Sequence, residues 1–142
     1  MKTDSSKFGY TLMGLLSLLL LSFTGYMLYQ NEPVEAILSL VGTFALVYGF
    51  CLYLNLSTQY TISDKGSLQV KCGILYNKTF DIDRFTSIRK SNNLMSSPAP
   101  SLDRIELAYG KFDLLIISPK NKKQFAEDLL SINPKIENHL AE

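Results

Sequence analysis

Two long apolar runs, separated by only four residues, constrain this chain more than anything else in it. Tyr10–Tyr29 contains no charged residue, and Val34–Leu56 contains only Glu35, at its start. About 20 helical residues cross ~30 Å of hydrocarbon, so each run is long enough to span a bilayer. Tyr10, Tyr26 and Tyr29 lie near the ends of the first run, where the membrane interface favours amphipathic rings. Between the runs stands Gln30-Asn31-Glu32-Pro33. Pro33 suits the first turn of a new helix, and Glu32 and Glu35 suit its positive end. The spacing predicts a tight antiparallel hairpin of two transmembrane helices, 10–29 and 34–56.

A cleaved secretory signal fits the first run poorly. The run is long for a signal core, lacks a small-x-small cleavage site after it, and is followed at once by a second span. Lys2 and Lys7 precede the hairpin, the connection carries no basic residue, and Lys65, Lys71 and Lys78 follow. Basic flanks stay inside, so both termini are expected in the cytoplasm, with the chain a multi-pass membrane protein. Gly14, Ser17 and Gly25 can share one helix face, and Ser39, Gly42, Ala45 and Gly49 another. Small residues let helices approach, either inside the hairpin or against a further membrane protein, a homo-oligomer included. No ionisable residue lies deep in either span, which argues against an ion or proton path.

The remaining chemistry is sparse. The net charge is +1, without the clustered basic face that nucleic acid requires. Cys51 and Cys72 fall in different halves of the chain and read as separate thiols. One histidine and two distant cysteines cannot complete a zinc site, which takes about four ligands. His139 stands in the C-terminal tail, Ser96 and Ser97 have no histidine partner, and no glycine-rich phosphate loop occurs. Asp81, Asp83 and Asp113 read as surface carboxylates. No catalytic residue, metal or cofactor is expected, and the chain is not expected to be an enzyme.

Past Ser57 the apolar pattern changes to a period of two. Six strands are expected: 59–63, 67–72, 78–82, 86–90, 102–109 and 112–118. Asp64-Lys65-Gly66 and Gly110-Lys111 make turns. The last strand is apolar on both faces and is therefore expected to be central and covered. Ser118 as cap and Pro119 at the first position open a helix over 120–132, with Phe125, Leu129 and Ile132 on one face. Asn133-Pro134 ends it. Residues 1–9 read as a cytoplasmic tail, 57–136 as an all-β domain closed by the C-terminal helix, and 137–142 as a frayed tail.

Three features could contact a partner. The loop 92–101 carries Leu94 and Met95 among polar residues, followed by Ser96 and Ser97. They suit a partner or the bilayer, or a tuck against the barrel in which the serines satisfy local backbone. Arg89, Lys90 and Arg104 could form a small basic patch beside it, or an ordinary solvated face. Asp103, on the face opposite Arg104, is expected to accept backbone N–H groups of the loop. The first hairpin, with Lys65 and Lys71, is too sparse in cations for a dedicated headgroup pocket, although lysines near an anionic leaflet gain about 1 kcal/mol each.

Three ordered stretches, Thr86-Ser87-Ile88-Arg89-Lys90-Ser91, Ser96 through Glu106, and Ile117-Ser118-Pro119-Lys120, together with Phe125 and Asn133-Pro134, resemble the YyaB-like bacterial PH-like domains. The resemblance covers residues 57–136. It implies membrane helices followed by a PH-type barrel or sandwich closed by a C-terminal helix. Six strands are one fewer than the usual seven, so either one is trimmed or two are merged near Gly73–Asn77. The resemblance implies a fold and no activity. The expectation is a membrane-anchored, non-enzymatic interaction or scaffold module whose partners are the lipid bilayer and a membrane or cytoplasmic protein. The alternatives are a protective protein of the bacteriocin-immunity kind and a sensor of anionic lipid.

Overall fold

A computed structural model describes residues 1–93 and 99–140. The two apolar runs form helices α1 (Tyr10–Tyr29) and α2 (Val34–Ser57), packed against each other as a hairpin. The reversal is compact because Asn31 takes a left-handed conformation, φ 55°, which asparagine tolerates better than most residues. Pro33 caps α2 in extended geometry, with Glu35 in the first turn. Almost none of either apolar stretch is covered by the rest of the protein. The glycines of these faces are not points of close approach within the hairpin. A Cβ added at Gly14, Gly25, Gly42 or Gly49 would meet open space.

The polar part builds two four-stranded sheets among the described residues. One has the order β1 (Lys2–Ser5), β2 (Thr58–Ser63), β3 (Ser67–Cys72), β4 (Tyr76–Asp81). The other has the order β7 (Asp113–Ile117), β6 (Arg104–Tyr109), β5 (Phe85–Ser91), β8 (Glu137–His139). All pairings are antiparallel except β5 with β8. Helix α3 (Lys122–Ile132) follows β7. One core takes Tyr60, Ile62, Leu68 and Val70 from the first sheet. Ile88, Ile105, Leu107, Leu115 and Ile117 come from the second, and Phe125, Ala126 and Leu129 from α3. Each fully buried Leu, Ile or Phe there contributes about 1.5–3 kcal/mol of burial free energy.

The six strands expected from alternation are present, with ends shifted by a residue or two. The differences lie at the margins. Residues Lys2–Ser5, read above as tail, pair with Ile62 back to Gln59 along the edge of β2. One strand beyond the six thus comes from ahead of the two apolar helices, and none from a split near Gly73. Glu137–His139, also read as tail, pairs with Ser87–Arg89. The strand β7 is at a sheet end rather than central. Leu115, Ile116 and Ile117 are buried, while Asp113 and Leu114 are exposed. The helix start differs too. Asn121, not Ser118, caps α3 by accepting from the Gln124 amide. Cys51 and Cys72 are free thiols.

Candidate functional site

The helices enter the β-domain without a linker. Ser57 ends α2 and Thr58 begins β2. Thr58 is fully buried; its hydroxyl donates back to the Leu54 carbonyl at 2.7 Å and contacts the Cys72 sulfur at 3.2 Å. At the start of α1, the Gly9 amide donates to Asn55 Oδ1 at 2.7 Å, and Asn55 Nδ2 donates to the Cys51 carbonyl. Gly9 must be glycine here, because a Cβ would stand 2.4 Å from the Pro100 carbonyl oxygen. The beginning of α1, the end of α2 and the end of the loop 92–101 therefore meet at one point.

Ser118 joins these pieces to the sheets. It is fully buried. Its hydroxyl lies 3.0 Å from that of Ser6 and accepts from the Ser101 amide. Its own amide donates to the Tyr60 hydroxyl at 3.1 Å, and its carbonyl accepts from the Lys7 amide at 2.7 Å. The Ser6 amide donates to the Thr58 carbonyl, and the Lys120 amide to the Ser5 carbonyl. The segment ahead of α1 is thus stitched to β2 and to the end of β7. Burial raises the Tyr60 phenol above its ordinary range, more than its hydrogen bonds lower it, so it stays a neutral acceptor for Ser118.

Asp103 lies beside this junction. Its carboxylate accepts from Lys122 and, at 2.7 Å, from Lys7. The Lys122 hydrogen bond first, then that of Lys7, holds this carboxyl below the ordinary aspartate range. Among the described loop residues no amide donates to this carboxylate, and the amides of residues 94–98 lie outside the described residues. The Asp103 amide donates to the Ser101 hydroxyl.

The sequence-derived surface residues separate into distinct roles. Arg104 Nε donates to the Ser101 carbonyl at 2.8 Å and Nη1 to the Asn93 carbonyl at 3.0 Å, so it spans the neck of the loop. Arg89 is paired with Glu106 at 2.7 Å, which cancels its charge. Lys90 is exposed and opposite Ile105 in register, so strand alternation turns it to the face opposite Arg89 and Glu106. The three cations do not make one patch. Leu94, Met95, Ser96 and Ser97 lie outside the described residues. The loop's described ends, Asn93 and Ala99–Ser101, place its neck on the helix side of the domain.

The other turns divide between the two ends of the domain. Thr58 pairs with Cys72 beside α2, while Ser63 pairs with Ser67 at the far end. Six strand residues put the Asp64–Gly66 turn roughly 17–20 Å from the helix end. There Asp64 accepts from the N-terminal amine at 2.6 Å. That turn points away from the helices. Among the described residues no group of three or more His, Cys, Asp or Glu could hold a metal ion. A cleft of about 170 Å³ between β1 and α3 contains Asp4, Gln124 and Asp128, but no nucleophile paired with a base.

Two four-stranded sheets and a following helix that share one core make a β-rich domain of PH type. The sequence profile of the bacterial PH domain family matches residues 58–133, more than half of the chain. The chain belongs to that family. No curated protein and no solved structure matches it. Domains of this type are generally non-catalytic binding modules whose partners are lipids or proteins.

Proposed function

We propose that this chain is a membrane-anchored, non-enzymatic PH-type interaction module of the YyaB-like kind. In this reading 10–29 and 34–56 cross the bacterial inner membrane as a hairpin. Residues 57–136 form the cytoplasmic domain, completed by strands from both tails and closed by α3. One observation carries the anchoring. The strand before the hairpin pairs with the strand after it, across two apolar helices that the described residues leave almost wholly uncovered. Two crossings return the chain to the side it left, which that pairing requires. The basic flanks, Lys2 and Lys7 before the hairpin and Lys65, Lys71 and Lys78 after it, against a connection without Lys or Arg, favour the cytoplasm for that side.

The loop 92–101, held at its neck by Arg104, is the proposed partner surface, with Leu94, Met95, Ser96 and Ser97 in its sequence and Lys90 beside it. The partner is a protein of the same membrane, because the neck stands next to Gly9 at the start of α1. Tethering raises the local concentration of such a partner, so weak contacts suffice. Headgroup recognition by the Asp64–Gly66 turn is disfavoured by its distance from the helix end. The test is in-cell photocrosslinking from position 94 and, in parallel, from position 65 of the full chain. A membrane protein captured from 94 and not from 65 supports the reading. Equal capture from both removes the loop as the recruiting surface.

A further inference from the structure

The turn between β3 and β4 breaks the rule that turn tips are polar. It reads Cys72-Gly73-Ile74-Leu75-Tyr76, and Ile74 and Leu75 are 87% and 65% exposed. Their position is fixed against the end of α2. Gly73 has φ +55°, its amide donates to the Ser57 carbonyl at 3.4 Å, and a Cβ there would press on Tyr53, Ser57 and Leu54. The apolar tip is therefore continuous with the last turn of the second helix, where Tyr53 and Leu56 are themselves exposed. Lys71 and Lys78 flank the tip, one on each strand, with no acidic residue between them. Lys78 lies over the Tyr76 ring at 5.7 Å from its centre. Apolar side chains ahead of a pair of lysines, with an aromatic between, is the chemistry of a segment resting in the lipid interface.

We propose that this turn is a second contact between the domain and the bilayer. Ile74 and Leu75 enter the interface beside α2, and Lys71 and Lys78 meet anionic headgroups. This rests on the two-span reading above. The contact holds the domain at three places, the two helix ends and the turn, and so fixes its tilt and the direction in which the loop 92–101 faces.

The chain contains no tryptophan, so a single introduced one reports alone. The full chain is reconstituted in phosphatidylethanolamine–phosphatidylglycerol vesicles with brominated acyl chains, as Leu75→Trp, Ile74→Trp, Leu46→Trp and Phe112→Trp. Leu46 is 78% exposed midway along α2; Phe112 is 94% exposed at the far end of the domain, on the β6–β7 turn. The expected result is blue-shifted, bromine-quenched emission from positions 46, 74 and 75, and water-like, unquenched emission from 112. Quenching at 46 with emission at both 74 and 75 like that at 112 overturns the contact and leaves the spans standing. Failure of quenching at 46 overturns the spans, and this inference with them.

Discussion

The Ser118 amide is buried and answered by one phenol. Tyr60→Phe keeps the ring packed edge-on against Phe125, at 6.2 Å between centres, but withdraws that acceptor. A buried N–H left without its partner costs about 1–3 kcal/mol, so the variant should melt earlier in detergent by that amount. Gly9→Ala should cost about as much, because its methyl group meets the Pro100 carbonyl in a packed junction. Gly14→Ala, whose Cβ meets nothing, is the matched control and should leave the melting point unchanged or slightly higher. The carboxylates act in opposite senses with pH. Asp103 is held below its ordinary value of 3.8 by Lys122 and Lys7. Its contribution is present above that value and is lost as pH falls through the lowered folded one. Asp4 is raised, chiefly by burial, so its contribution is present at low pH and is lost as pH rises through its folded value. Asp103→Asn should flatten the acid limb of a stability–pH curve, and Asp4→Asn should raise stability at neutral pH.

Among the elements, β1 carries more than its four residues suggest. It covers the edge of β2, and its continuation bonds to Ser118 and Lys120. Deleting residues 2–5 should therefore deprotect Thr58–Ser63 in hydrogen exchange while leaving β5 and β6 protected; unchanged protection of β2 would make β1 an accessory. This strand was not legible from the residues, and the reason is physical. Lys-Thr-Asp-Ser has no apolar alternation, since it joins a sheet edge through its backbone and keeps most side chains in water. Glu137–His139 escapes notice in the same way. The strands that were legible, such as Ser67–Cys72, each bury alternate apolar residues against the core. The loop neck shows the same limit. Arg104 read as part of a surface patch and Asp103 as an acceptor for loop amides because their partners, Asn93, Lys7 and Lys122, are set by tertiary contacts that no local pattern encodes. A central position for β7 was inferred from its two apolar faces. Its last three residues are indeed buried, but among the described residues only β6 pairs along it.

For the molecule as a whole, the continuity of α2 and β2 makes helix and domain one mechanical body at that joint. Inserting Gly-Ser between Ser57 and Thr58 removes the Thr58–Leu54 hydrogen bond and shifts the Gly73 contact away from α2. The domain should still fold, as read by retained near-ultraviolet dichroism, while loop crosslinks to the membrane partner fall. Cell fractionation gives the simplest global check. The chain should resist alkaline carbonate extraction, and reporters at the two termini should give the same cytoplasmic signal. Opposite signals from the two ends would contradict the pairing of β1 with β2.

That pairing also bears on how the chain is made. The strand Lys2–Ser5 is synthesised before both helices and waits through them for Thr58–Ser63. If only one helix inserted across the bilayer, the two strands would be stranded on opposite sides and the sheet would lack its edge. On the two-span reading proposed above, completion of the domain reads out whether the hairpin was inserted correctly. A misinserted chain presents an unpaired β2 edge to the cell's proteases, and a correctly inserted one does not.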